Sequence, residues 1–211
     1  GYVPGEGETD ADMARRHAEA FLELLKGEGF ARPNPRPMFP NPPGLLRLEP
    51  HSPGLRDRIW WGAGSTATAV WAAKAGMHLM SSTLVFDESG EPLHVQQRRQ
   101  IDAYLEAWKE AGHDREPRVS VSRSIFAIVD DRDRAYFGRG QQESDQVGYI
   151  DENTRAIFGR SYADEPDALV EQLRGDTAIE AADTLLLTVP NQLGVDYNAH
   201  AVESILRHVA P

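Results

Sequence analysis

Hydrophobic positions along this chain change period several times, and each change marks an element. Between Thr9 and Lys26, residues Ala14, Ala18, Phe21, Leu22 and Leu25 recur at helical spacing, and the pattern stops at Gly27 and Gly29. Thr9 and Asp12 have the spacing of a capping box, in which hydroxyl and carboxylate each satisfy a free amide at a helix start. The spacing predicts a first helix over 10–26. Residues 58–63 (RIWWGA) form a short apolar strand, 66–75 a short helix, and 77–85 (MHLMSSTLV) a second strand. Leu93, Ile101, Tyr104, Leu105 and Trp108 share one side of a helix over 92–111. A third strand is expected over 118–129, a fourth over 184–189, and a closing helix over 197–208. Strands alternating with helices imply parallel pairing, because a crossover helix returns the chain to the same end of the sheet.

Two stretches interrupt the alternation. Residues 31–58 hold eight of the fourteen prolines. Proline removes a backbone donor and disfavours helix for the residue before it, so this segment is expected to be extended and irregular. Only one helix precedes it, which favours a long loop lying on a single domain, 1–211, over an interdomain linker. The β/α units then occupy 58–211. Within them, residues 130–183 separate the third and fourth strands as an insertion, with helical stretches expected near 132–137, 149–158 and 166–173. Insertions at the carboxyl end of a strand commonly cover a site.

Charge and composition exclude several functions. Lysine and arginine number 22 against 33 aspartates and glutamates, a net charge of −11. No basic run offers a face for phosphate backbones, since Arg132 and Arg134 alternate with Asp131 and Asp133, so nucleic acid is not an expected partner. A local basic pocket for one small phosphate stays open. The chain has no cysteine, which removes disulfides, thiolate nucleophiles and zinc–thiolate sites. No apolar run approaches the length of a membrane helix and no signal peptide is visible, so a cytoplasmic protein is the default. The first residue is Gly1 in place of Met, from which a processed, truncated or tagged start is expected.

The most informative stretch is Gly62-Ala63-Gly64-Ser65-Thr66-Ala67-Thr68, after a strand and opening a helix. Glycines allow close backbone approach, and the first helical amides point free donors outward. Ser65 and Thr68 add hydroxyls, so an anion such as a phosphate suits the turn. A plain turn with a Ser or Thr cap has the same spacing. The lysine of a P-loop and the third glycine of a dinucleotide fingerprint are both missing.

Gly64 to Ala73 (GSTATAVWAA) resembles the turn from strand five into the following helix in bacterial luciferase-like flavin monooxygenases. In that family a Ser and a Thr three residues later hold the flavin phosphate ahead of a Trp-Ala-Ala helix. Ala111-Gly112-His113-Asp114 looks like the family's connection into strand seven, Asp164 to Leu169 (DEPDAL) like its late helix start, and Asp183–Val189 like its eighth strand. The resemblance covers nearly the whole chain. It implies an α/β fold: the C-terminal half of a (β/α)8 TIM barrel, four parallel strands with helices. A complete barrel takes about 250 residues, and the first four strands have no counterpart here.

Carried over residue by residue, the resemblance places Ser65 and Thr68 on the cofactor phosphate, Gly64 beside it through its backbone only, and Met80 and Ser82 along the flavin ring. Luciferase proper has an acidic residue where Gly64 stands. The implied cofactor is FMN, with a deazaflavin coenzyme as the alternative, and the implied activity is monooxygenation or related redox chemistry on a small organic substrate. A non-catalytic flavin-binding remnant is the other reading. The family's catalytic residues lie on the early strands, so none is assigned. A half barrel has two open edges, from which a homodimer or association with an N-terminal half is expected.

Other residues carry less. The seven histidines show no metal-binding spacing, and no metal site is expected. His78, inside an apolar strand, reads as a satisfied core residue. Asp130 to Asp133 reads as a charged helix start. No Gly-x-Ser-x-Gly elbow is present. In 119–129, Ser120, Ser122, Ser124 and Phe126 alternate with Val119, Val121, Ile125 and Ala127; a serine-lined face suits a polar cofactor cavity or an interior that admits water. Either Trp60 or Trp61 packs on helices, and the sequence does not say which.

Overall fold

In a computed structural model of the chain, the described residues are 3–41, 43–86, 89–138, 144–150, 152 and 154–210. The chain divides into two compact units, Gly1–Ile59 and Trp60–Pro211. In the first, helix α1 (Asp10–Leu24) begins with the expected capping box: the Thr9 side chain accepts from the Asp12 amide, and Asp12 accepts from the Thr9 amide. The proline-rich segment that follows is irregular, apart from a bridge between Ala31 and Leu46 and a 3-10 turn at Arg56–Arg58. Gly27 has φ +81°, a conformation that side chains rarely adopt, and a Cβ there would meet the His51 ring, so glycine suits this turn.

The second unit is mixed α/β, built from β1 (Trp60–Ala63), α2 (Thr66–Lys74), β2 (His78–Ser81), β3 (Leu84–Phe86), α3 (Leu93–Ala111), β4 (Val119–Ala127), α4 (Asp131–Phe137), β5 (Gln146–Tyr149), β6 (Arg155–Phe158), β7 (Ser161–Asp164), α5 (Pro166–Arg174), α6 (Thr177–Ala181), β8 (Thr184–Leu187) and α7 (Gly194–His208). Strands β1, β2, β4, β7 and β8 form one sheet, every pair parallel. The nine residues of β4 serve three partners: its first half pairs with β2 and β8, and Ser124–Ala127 pair with β7.

The sequence pattern predicts four parallel strands where there are five; the additional one, β7, comes from the segment expected to be an insertion. Residues 149–158, expected to be helical, instead end β5 and form β6, an antiparallel hairpin that with β3 makes a separate three-stranded sheet. Val147, Tyr149 and Ile157 are β-branched or aromatic residues that suit a pleated surface. The single strand expected over 77–85 is two. Ser82 and Thr83 interrupt it: the Ser82 carbonyl accepts from the Gln97 side chain, and β3 turns away to pair with β6. Helices over 132–137 and 166–173 stand where the pattern puts them.

Faces of the parallel sheet follow the alternation of its strands. Ala63, Leu79, Val119 and Val121 pack with Ala69 and Ala73 of α2 and with Ile101, Tyr104 and Trp108 of α3. Further along, Ile125 and Ala127 of β4 pack with Leu169 of α5 and Ile205 of α7. The helices therefore cover the face of the odd-numbered positions of β1, β2 and β4. Gly62, Met80, Ser120, Ser122 and Ser124 belong to the opposite face. No helix among the described residues is long and apolar enough to cross a membrane.

Candidate functional site

The turn leaving β1 is built by its helix cap. Ser65 is extended (φ −140°, ψ 154°), its Oγ accepts from the Thr68 amide at 3.3 Å, and its carbonyl takes the first ladder bond, from Ala69. The amides of Thr66 and Ala67 lie ahead of that ladder and point out of the helix end. Ser65 Oγ also donates to Thr68 Oγ1 at 3.0 Å. Gly64, Ser65, Thr66 and Ala67 line a cleft of about 480 Å³, closed by Val85, Phe86 and Ser89 and by Gln96, Arg99 and Gln100 of α3. Phe86 is anchored above the turn: its amide donates to the Gly64 carbonyl, and its ring lies 3.6 Å from where a Gly64 Cβ would stand.

Arg99 is the cation of this cleft, and its guanidinium is held in a two-pronged ion pair by Glu91, Nη2 to Oε1 at 2.7 Å. Gln100 fixes the floor. It is buried, accepts from Ser81 Oγ at 2.6 Å and donates to the Ala63 carbonyl at 3.2 Å, tying α3 to the ends of β1 and β2. The arrangement can bind an anion through two backbone amides, one or two hydroxyls and a guanidinium. Arg99 and Gln100 escape a reading of the sequence because nothing in their spacing links them to Ser65; the α2–α3 packing brings them there.

Of the sequence-derived candidates, Gly64 and Ser65 line the cleft, and Thr68 stands behind Ser65 with its hydroxyl turned to it. Met80 and Ser82 are not part of the cleft lining. Met80 pairs in register with Gly62 of β1 and Ser120 of β4 on the face opposite the helices. Gly62 on that face is exposed, and nothing lies within 4 Å of where its Cβ would be. Ser120 is buried, and its Oγ has no hydrogen-bond partner among the described residues. Next to it, Ser122 Oγ lies 3.2 Å from Thr188 Oγ1.

The residues read as structural are bonded within the protein. His78 is buried, its Nδ1 accepts from the Arg118 amide, and its ring lies against Trp60 and Trp108. Trp61 is the tryptophan on a helix, edge-on to Trp71 at 4.9 Å. Asp130 and Asp133 form a capping box for α4. Asp133, Asp130 and His200 bring one ligand atom each within 4.8 Å of one another, a grouping the sequence spacing does not reveal. Asp133 is nevertheless committed to the protein, accepting from Tyr197 Oη at 2.6 Å, His200 Nε2 at 2.9 Å and the Val129 amide at 3.1 Å. Burial alone would raise its carboxyl; these donors more than offset that and hold it below the usual carboxylate range.

Two further features have no sequence signal. Arg123 and Asp176 form a fully buried ion pair (Nε–Oδ2 2.7 Å, Nη2–Oδ1 3.0 Å), and Tyr162 Oη donates to the same carboxylate at 2.7 Å. A cavity of about 610 Å³ beside this pair is lined by Leu93, His94, Asp145, Arg160 and Tyr162 among others. Asp145 spends both oxygens on backbone there, accepting from the amides of Leu93 and Arg160.

No protein-family model matches this chain, and no curated protein does. Among solved structures it is similar to the monooxygenase RslO1 from Streptomyces bottropensis, with a TM-score of 0.55 and 18% identity. The match covers 98% of this chain and 62% of that one. At that identity the likeness concerns the fold, and the chain spans less than two thirds of the neighbour's length.

Proposed function

We propose that this chain is the phosphate-anchoring, C-terminal half of a luciferase-like (β/α)8 barrel: a flavin-dependent monooxygenase or oxidoreductase that uses FMN on a small organic substrate. The observation that carries the reading is the β1–α2 turn, where Ser65 and the first amides of α2 open onto a cleft that also holds Arg99. In a protein of net charge −11 a phosphate dianion needs such local donors, and this turn supplies them at the carboxyl end of a parallel strand. The likeness in fold to a monooxygenase supports the same reading.

The residues present fit a flavin at both ends. The open position over Gly62 leaves room for a flat ring beside Met80 and Ser82, two residues before the anchoring turn. When bound, FMN supplies the electron transfer and oxygen chemistry; the protein holds the phosphate and shapes the ring's surroundings. Strands β1 and β8 each pair on one side only among the described residues, and closure by a second copy or by an N-terminal half belongs to the proposal.

Substituting Ser65→Ala and Thr68→Ala together removes the Ser65 hydroxyl contact to a charged group, the Thr68 hydroxyl that supports it and the helix cap. The double variant is expected to weaken FMN binding about 10- to 100-fold by flavin-fluorescence titration, at about 1.5–3 kcal/mol for a hydrogen bond to a charged group. Unchanged affinity would refute the anchor.

A further inference from the structure

Ser120 stands out among the side chains of the parallel sheet. It is 2% exposed, and its hydroxyl has no hydrogen-bond partner among the described residues. Buried hydroxyls ordinarily find a partner, and one that no described residue matches is available to a ligand. Its place in the sheet gives it a use. Register aligns Gly62, Met80, Ser120 and Thr184 in one row across β1, β2, β4 and β8, on the face away from the helices. The row begins with open space over Gly62, continues with the half-buried thioether of Met80, and reaches the unpaired hydroxyl at the third strand.

Dimensions agree with an extended flat ligand. From β1 to β4 is two strand spacings, about 10 Å, comparable with the long axis of a tricyclic flavin ring. Gly64, where the anchoring turn begins, is two residues past Gly62, about 7 Å along the strand, a distance that a ribityl chain spans. One hydroxyl provides a donor and two acceptor positions, enough for a ring carbonyl or a ring N–H. Met80, unbranched and adaptable, is the neighbour able to make way for the ring.

We infer that Ser120 is a binding residue for the heteroatom edge of the flavin ring, its hydroxyl completing on the cofactor the hydrogen bond that no described residue supplies. This rests on the flavin reading above, and the two are separable by experiment. Ser120→Ala removes an unpaired buried hydroxyl, so the variant is expected to fold at least as stably as the parent. Both FMN and riboflavin are titrated, with affinity and the visible absorption spectrum of the bound flavin as readouts. Ser120→Ala should weaken both flavins alike, about tenfold, and shift the bound spectrum, because the lost contact is at the ring. The Ser65→Ala/Thr68→Ala variant should weaken FMN alone. If Ser120→Ala leaves both affinities and the spectrum unchanged, the inference is overturned while the phosphate anchor stands. If the parent binds FMN and riboflavin equally, the anchor fails and Ser120 is still judged by riboflavin. Binding of neither flavin overturns both.

Discussion

Asp176 is the side chain whose loss the fold should feel most. Its carboxylate receives Arg123 through two nitrogens, the Tyr162 hydroxyl, and the amides of Ala178 and Ile179 at the start of α6. Arg123 is itself 4% exposed, and its Nη1 donates to the Ser122 carbonyl. Asp176→Ala therefore strands a guanidinium in the interior and uncaps a helix. Breaking one member of a buried pair costs about 3–5 kcal/mol. For a chain of this size about 2–4 °C of melting temperature accompanies each kcal/mol, a loss of roughly 6–20 °C. Thermal or urea unfolding followed by tryptophan fluorescence reports it directly, since Trp60, Trp61, Trp71 and Trp108 all belong to the second unit. Replacing both partners, as Arg123→Met with Asp176→Leu, removes the unpaired charge and should recover most of the loss. A single Asp176→Ala variant melting within about 2 °C of the parent would show that the pair is not the clamp described.

Acid stability offers a second check. The folded-state pKa of Asp133 lies below its ordinary value of 3.8, so the carboxylate stabilises the fold above that pH and the contribution fades as pH falls through the lowered folded value. Asp133→Asn should leave a smaller fall in stability below about pH 4 than the parent shows. His200→Gln should lower neutral-pH stability by less than Asp133→Asn, because Tyr197 and the backbone amides still satisfy the carboxylate. Denaturant midpoints measured from pH 3 to pH 7 decide both.

Much of the architecture is written locally, and what is not written locally escapes the sequence. The capping box at Thr9, the charged helix start at Asp130, the helices α3 and α7 and the apolar runs of β1 and β4 announce themselves, because cap chemistry and side-chain period act within a few residues. The departure of β3 into its sheet depends on pairing partners seventy or more residues apart, Leu84 with Phe158 for instance, and period alone cannot supply a partner. The candidate site divides the same way. Ser65 is legible because strand, glycine, hydroxyl and helix follow one another in the chain. Arg99 and Gln100 are visible only once α3 lies across α2, and Ser120, legible as one of a serine-lined face, is set apart from its neighbours only when the strands are in register.

The measurement that bears most directly on the central claim is an experimental structure of this protein with FMN bound. The account predicts the phosphate at the start of α2, its oxygens within hydrogen-bond distance of Ser65 Oγ and of the Thr66 and Ala67 amides, with Arg99 freed from Glu91 to face it. A phosphate bound elsewhere, such as in the cavity beside Arg160 and Tyr162, with the Arg99–Glu91 pair intact, would contradict it.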